Sequence, residues 1–190
     1  MNPVSGLDRS PPVDPPGDFR RVAGRFPTGV TVLTCVRDGE PQGMTVNAFA
    51  TASLDPLLVM VILGNRSRTA RQVLDGDGFA VTVLSSGQAE TARVFADASR
   101  PRDQGVFGTV PTWPARSTGS PVLTGGVAYF DCTHHAHYAA GDHTILLGAV
   151  RSFGVLSEDP ALLFSRSLLG AEPYPGRCEP SVSVGPVRRP

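Results

Sequence analysis

The pentapeptide Asn65-Arg66-Ser67-Arg68-Thr69 carries the strongest chemical signal in this 190-residue sequence. Two guanidinium groups and two hydroxyls fall where a helix is predicted over residues 68–74 with Ser67 as its N-cap, and the free N–H groups of a helix start attract phosphate. The arginines add charge-assisted donors suited to a cofactor phosphate. An ordinary capped helix with solvated arginines has the same signature, so the segment marks a candidate only. Just upstream, Thr45, Asn47 and Ser53 could hydrogen-bond the edge of a heteroaromatic ring. Polar residues on one face of a half-buried strand also commonly face solvent.

All four histidines fall within residues 134–143. On a strand His135 and His137 share a face and His134 points the other way, so an H-x-H metal pair with His143 returning on the next strand is geometrically possible. No carboxylate follows nearby to complete such a set, and Asp142 reads as a turn residue, so the cluster is read as strand surface with no metal expected. His143 has a separate candidate role. At the lip of a pocket it could donate a hydrogen bond to a nicotinamide, or stack on it, and steer hydride transfer without carrying the proton. Nucleophilic chemistry finds no G-x-S-x-G elbow, and Cys35 and Cys132 sit mid-strand where a buried thiol is the usual occupant. G-x-G-x-x-G and Walker A loops are absent, so a nicotinamide cofactor would bind without a Rossmann unit, as a visiting substrate.

These residues need strands to hold them. Segment 43–63, GMTVNAFATASLDPLLVMVIL, reads as a polar-flecked strand and a wholly apolar strand joined at Ser53-Leu54-Asp55-Pro56. Period-two alternation puts Thr45, Asn47 and Phe49 on one face and Met44, Val46, Ala48 and Ala50 on the other, one wall of a pocket. Residues 19–25 read as a short helix ended by Pro27, 29–36 as a strand rich in β-branched residues, and Asp38-Gly39 as a turn. Strand 79–84 follows, then an amphipathic helix over 86–98, a long loop over 100–121, and two extended runs, 127–139 and 143–155, around an Ala140-Gly141-Asp142 hairpin. Six or so strands, two or three short helices and no βαβ alternation predict a mainly β chain forming a closed antiparallel barrel.

The bulk composition is consistent with this. A chain of this length with 41% apolar residues suits one domain, and 17 Lys+Arg against 17 Asp+Glu leave no basic field for nucleic acid or an anionic membrane. Cys35, Cys132 and Cys178 include no CxxC pair, which points to a reducing, cytoplasmic setting. No apolar run reaches the roughly 18 residues of a membrane span, and the first 18 residues lack a signal-peptide core. Proline-rich ends predict tails at 1–17 and 175–190 around a folded body at 18–174.

Taken in order, Phe26-Pro27-Thr28-Gly29-Val30-Thr31-Val32, segment 43–63, Ser67-Arg68-Thr69, Phe79-Ala80-Val81 and Gly141-Asp142-His143 resemble the flavin reductase-like proteins across residues 19–164. The resemblance implies a Greek-key-like split β-barrel, a homodimer, and an enzyme that reduces FMN or FAD with NADH or NADPH and supplies the reduced flavin to a partner monooxygenase. By the same resemblance Thr45, Asn47 and Ala48 would line the isoalloxazine and Ser53 its edge. Leu63, Gly64, Ser67, Arg68 and Thr69 would hold the ribityl phosphate, Phe95 would border the flavin, and His143 would lie beside the nicotinamide. The barrel's last strand, with Phe164 and Arg166, would help close that side. Here Ser167 replaces the family's usual Gly, and no Tyr follows until Tyr174. That departure opens a second reading: a tailoring enzyme on the same barrel, with or without flavin, or a flavin-binding module without turnover.

Overall fold

Three two-residue turns and one two-residue link organise the barrel. The computed structural model describes residues 16–97, 105–165 and 168–170. In chain order the elements are α1 (Pro16–Ala23), β1 (Thr28–Gly29), β2 (Thr31–Arg37), β3 (Glu40–Val46), β4 (Phe49–Leu54), β5 (Leu57–Gly64), α2 (Arg68–Leu74) and β6 (Gly78–Val83). A 3-10 turn (Ser86–Gln88) leads to α3 (Ala89–Ala96), α4 (Gly105–Thr109), β7 (Thr112–Pro114), β8 (Pro121–Leu123), β9 (Ala128–Ala140), β10 (His143–Val155), β11 (Leu163–Ser165) and β12 (Leu168–Gly170). The tails expected at 1–17 and 175–190 lie outside the described residues, save Pro16 and Gly17, which open α1.

Seven strands form one antiparallel sheet in the order β3-β2-β6-β9-β10-β5-β4. The turns Asp38-Gly39, Asp55-Pro56 and Gly141-Asp142 close the β2–β3, β4–β5 and β9–β10 hairpins. At the first, Asp38 and Gly39 both have positive φ, the backbone that a type I′ turn needs to match strand twist. The two edge strands, β3 and β4, are consecutive in sequence and separated only by Asn47 and Ala48. Two residues cannot span an open seven-stranded sheet, so the sheet must roll until its edges meet along a seam. The Ile62 N–H bond to the Ala48 carbonyl, 3.0 Å, pins the seam to β5. The expected split barrel is therefore the observed one.

Inside the barrel lies a core of Leu33, Cys35, Val46, Val59, Val61, Leu63, Val73, Phe79, Val81, Cys132 and Leu146. The opposite face of β2 contributes Val32 to a second cluster under α3, with Val30, Leu84, Ala92, Phe95, Leu123 and Leu162. β2 and β6 are thus covered on both faces, as their near-continuous apolar and β-branched runs require. β5 differs. Val59, Val61 and Leu63 point inward, whereas Leu58, Met60 and Ile62 on its outer face are only half-buried.

Several sequence expectations shift in detail. Among the described residues there are twelve strands where six or so were expected, because β1, β7, β8, β11 and β12 are two- or three-residue pieces too short to leave a periodicity, and four short α-helices and a 3-10 turn where two or three helices were expected. The loop expected over 100–121 contains α4 and β7. The strand expected to run through Asn47 breaks there, so alternation does not carry from Val46 to Phe49.

Candidate active site

Gly64 ends β5, and the chain turns through Asn65-Arg66-Ser67 into α2. Ser67 keeps an extended backbone (φ −69°, ψ 129°), and its Oγ accepts the Ala70 N–H at 3.2 Å, the N-cap bond its sequence position predicts. The same hydroxyl donates to Met44 Sδ at 3.5 Å, tying the turn to β3. Arg66 and Arg68 are exposed, and Thr69 is buried. The guanidinium groups therefore face solvent while Thr69 anchors the helix start.

Across the β5–β10 ladder, His143 is the register partner of Gly64. A methyl group built on Gly64 would touch Nε2 of His143 at 3.8 Å, so the absent side chain leaves room in front of the imidazole. His143 Nδ1 and Asp142 Oδ1 are 2.7 Å apart, and with Nδ1 donating to the carboxylate, Nε2 is the nitrogen left facing Gly64. That hydrogen bond, followed by the imidazole's charge, holds the exposed Asp142 carboxyl below its usual range.

Asn65 joins the two halves of this arrangement. Its backbone N–H donates to the Asp142 carbonyl at 3.0 Å, its Nδ2 donates to the Gly141 carbonyl at 3.2 Å, and its Oδ1 accepts the Thr144 hydroxyl at 2.8 Å. Sequence reasoning assigned Asn65 no task of its own. An Asn in a loop is a turn signal, and nothing local reveals partners on another strand.

The remaining sequence candidates divide by position. Asn47 and Ala48 form the seam link beside the Gly64 end of β5, with Asn47 exposed. Thr45 donates its hydroxyl to the Ala92 carbonyl of α3 at 2.7 Å, so that proton is engaged within the protein. Leu63 and Phe95 are 1% and 2% exposed, and their side chains support the wall from the core side. Phe95 packs edge-on to Phe107, ring centres 5.4 Å apart, and Phe164 joins the same cluster. Ser53 stands at the turn end of the β4–β5 hairpin, opposite Leu58 and roughly 20 Å along β5 from Gly64. There its Oγ accepts the Asp55 N–H. Arg166 and Ser167 lie outside the described residues.

The histidine geometry departs from simple alternation. The β9–β10 register slips between Leu147 and Gly148, so His135 is an extra residue in β9. This bulge brings His134 and His137 to one side, with His134 Nε2 and His137 Nδ1 3.1 Å apart. The expectation that His134 points away from the side of His137 is thereby overturned. Partial burial, then the neighbouring His137 and His135, lower the His134 pKa. Among the described residues no group of three or more His, Cys, Asp and Glu is placed to hold a metal. Cys35 and Cys132 are buried, and desolvation pushes their thiols up to about 11 and about 12, so neither is a thiolate nucleophile near neutrality.

Over residues 23–171 the sequence matches the family model described as a flavin reductase like domain. The chain belongs to the flavin reductase-like family. It is 43% identical over 150 residues to a NADH-dependent FAD reductase of Streptomyces globisporus, covering 74% of this chain and 82% of that protein. It is 36% identical over 159 residues to HsaB of Rhodococcus jostii, the reductase subunit of a flavin-dependent monooxygenase, covering 83% and 79% of the two chains. Among solved structures, the Streptomyces globisporus NADH:FAD oxidoreductase SgcE6 in complex with NAD and FAD fragments superposes with a TM-score of 0.78 at 36% identity, over 87% of this chain and all of that one.

The donor set of this flavin reductase-like chain fits a flavin. Exposed guanidinium groups at Arg66 and Arg68 and the half-buried Ser67 stand beside an open wall formed by Gly64 and the Asn47-Ala48 link. An anion at the turn and a flat ring along the seam match that distribution of charge and space. No helix among the described residues is long and apolar enough to cross a membrane.

Proposed function

We propose that this chain is a flavin reductase that uses NADH to reduce FAD or FMN and releases the reduced flavin to a separate oxygenase component. The observation that carries this reading is the register pairing of Gly64 with His143, which sets an anion-binding turn and an imidazole on adjacent strands of one wall. Arg66, Ser67 and Arg68 hold the phosphate. Asn47 and Ala48 border the ring, and Thr45 supports that edge through its bond to α3. His143 presents Nε2 to the nicotinamide side of the pocket. A bound flavin supplies the hydride-accepting ring, and the protein needs no acid or base for that step, only positioning of two stacked partners. The named relatives support NADH as donor and an oxygenase as recipient.

The same proposal includes a cytoplasmic homodimer. An all-apolar strand with one face half-covered requires a second cover, and the outer face of β5, with Leu58, Met60 and Ile62, is such a face. A second copy buries it.

The test is anaerobic mixing of the purified chain with each flavin and each nicotinamide while following the oxidised flavin band. Bleaching with NADH and either flavin is the expected outcome. Loss of no absorbance with any pair, by a folded protein, rejects the reductase assignment.

A further inference from the structure

We infer that Asn65 is a positioning residue that locks the His143-bearing turn to the phosphate-binding turn, so that the two substrates' subsites are held as one unit. This rests on the flavin reductase reading of the site. The β9–β10 hairpin tip carries Asp142 and His143, and a two-residue turn at the end of long strands has little packing to hold it. Asp142 and His143 are both exposed, as is Gly141, whose φ is +64°. Asn65 meets this tip at three points: the carbonyls of Asp142 and Gly141, and the hydroxyl of Thr144. These bonds flank His143 on both sides along the chain. At its other end, Asn65 is two residues from Ser67, whose own N–H donates to the Gly64 carbonyl at 2.9 Å and whose hydroxyl caps α2. A shift of the tip would carry His143 away from Gly64, and a shift of the 64–67 turn would carry the cationic side chains with it. Through Asn65 neither moves alone.

The clamp bonds are made by Asn65 to backbone and to Thr144, and none reaches the ring of His143. Asn65 therefore acts on the nicotinamide through the place it gives His143. Removing its side chain deletes two hydrogen bonds and keeps the backbone one, which leaves the fold intact and loosens the tip. Asn65 and Gly141 are exposed, so water replaces that bond, whereas the hydroxyl of the buried Thr144 loses its partner.

The test compares Asn65→Ala, His143→Ala, the double variant and Thr144→Val, which removes only the bond to Asn65 Oδ1. In Asn65→Ala the NADH KM is expected to rise about fivefold, the equivalent of one lost hydrogen bond, with flavin affinity nearly unchanged. Thr144→Val should show part of that rise. The double variant should be little worse than His143→Ala, because a residue that works only through His143 has nothing left to position. Amide hydrogen exchange at residues 140–144 should be faster in Asn65→Ala without ligand. Additive losses in the double variant, equal loss of flavin and NADH affinity, or unchanged exchange at the tip would each overturn the proposal while the wild-type chain still turns over. A wild-type chain that reduces no flavin removes the reductase reading and the positioning role with it.

Discussion

His143 shows how much a single residue's task depends on its neighbours. Asp142 fixes which ring nitrogen faces the wall, Gly64 leaves the space in front of it, and Asn65 holds the turn on which it sits. His143→Ala removes one directional contact, about 1 kcal/mol, so the NADH KM should rise about fivefold with flavin affinity preserved. Steady-state kinetics with each substrate varied in turn, together with flavin titration, measure both; equal loss on the two sides would contradict the assignment. At this scale Gly64, Ser67, Arg68 and His143 could be singled out as candidates, because each belongs to a short local motif. Asn65 was not, since Thr144 is 79 positions away and only strand pairing makes them neighbours. Thr45 was legible as a polar residue, but the Ala92 carbonyl that takes its proton lies on an element 47 positions on.

Among elements, α2 was read with its observed bounds because Ser67 supplies a cap whose chemistry is local. The side of β9 on which His134 lies was misread because a bulge adds one residue and reverses the alternation across it, and no residue type announces it. Gly148 stands at that slip. A methyl group there would overlap the ring of Phe79, which is fully buried, and would meet Cβ of Cys132 at 3.0 Å. Both obstacles belong to packed core, so neither can step aside freely. Gly148→Ala should therefore cost about 1–3 kcal/mol of stability, the usual range for overpacking. Urea unfolding of the two chains measures the difference, and an unchanged midpoint would show that the close approach is relieved elsewhere.

For the whole molecule, composition indicated one domain, and the strand pattern indicated a barrel whose seam was invisible until β3 and β4 were seen as opposite edges. β5 is apolar along nearly its whole length, yet its outer face is only half-covered within one chain. Light scattering on a sizing column should therefore find a dimer. Met60→Glu, which puts a carboxylate in the middle of that half-covered face, should shift the chain toward monomer while its circular dichroism stays unchanged. A wild-type monomer would remove the second copy from the proposal.

The Asn47-Ala48 link also bears on how the barrel assembles. The entropy lost in closing a loop grows with the logarithm of its length, so joining the two sheet edges through two residues adds almost nothing to the cost of forming the hairpins that flank them. The costly encounters are those of β5 with β10, of β2 with β6 and of β6 with β9, which must find each other across long stretches of chain. The two edges of this barrel are joined by the chain itself, and the long-range search is confined to the middle of the sheet.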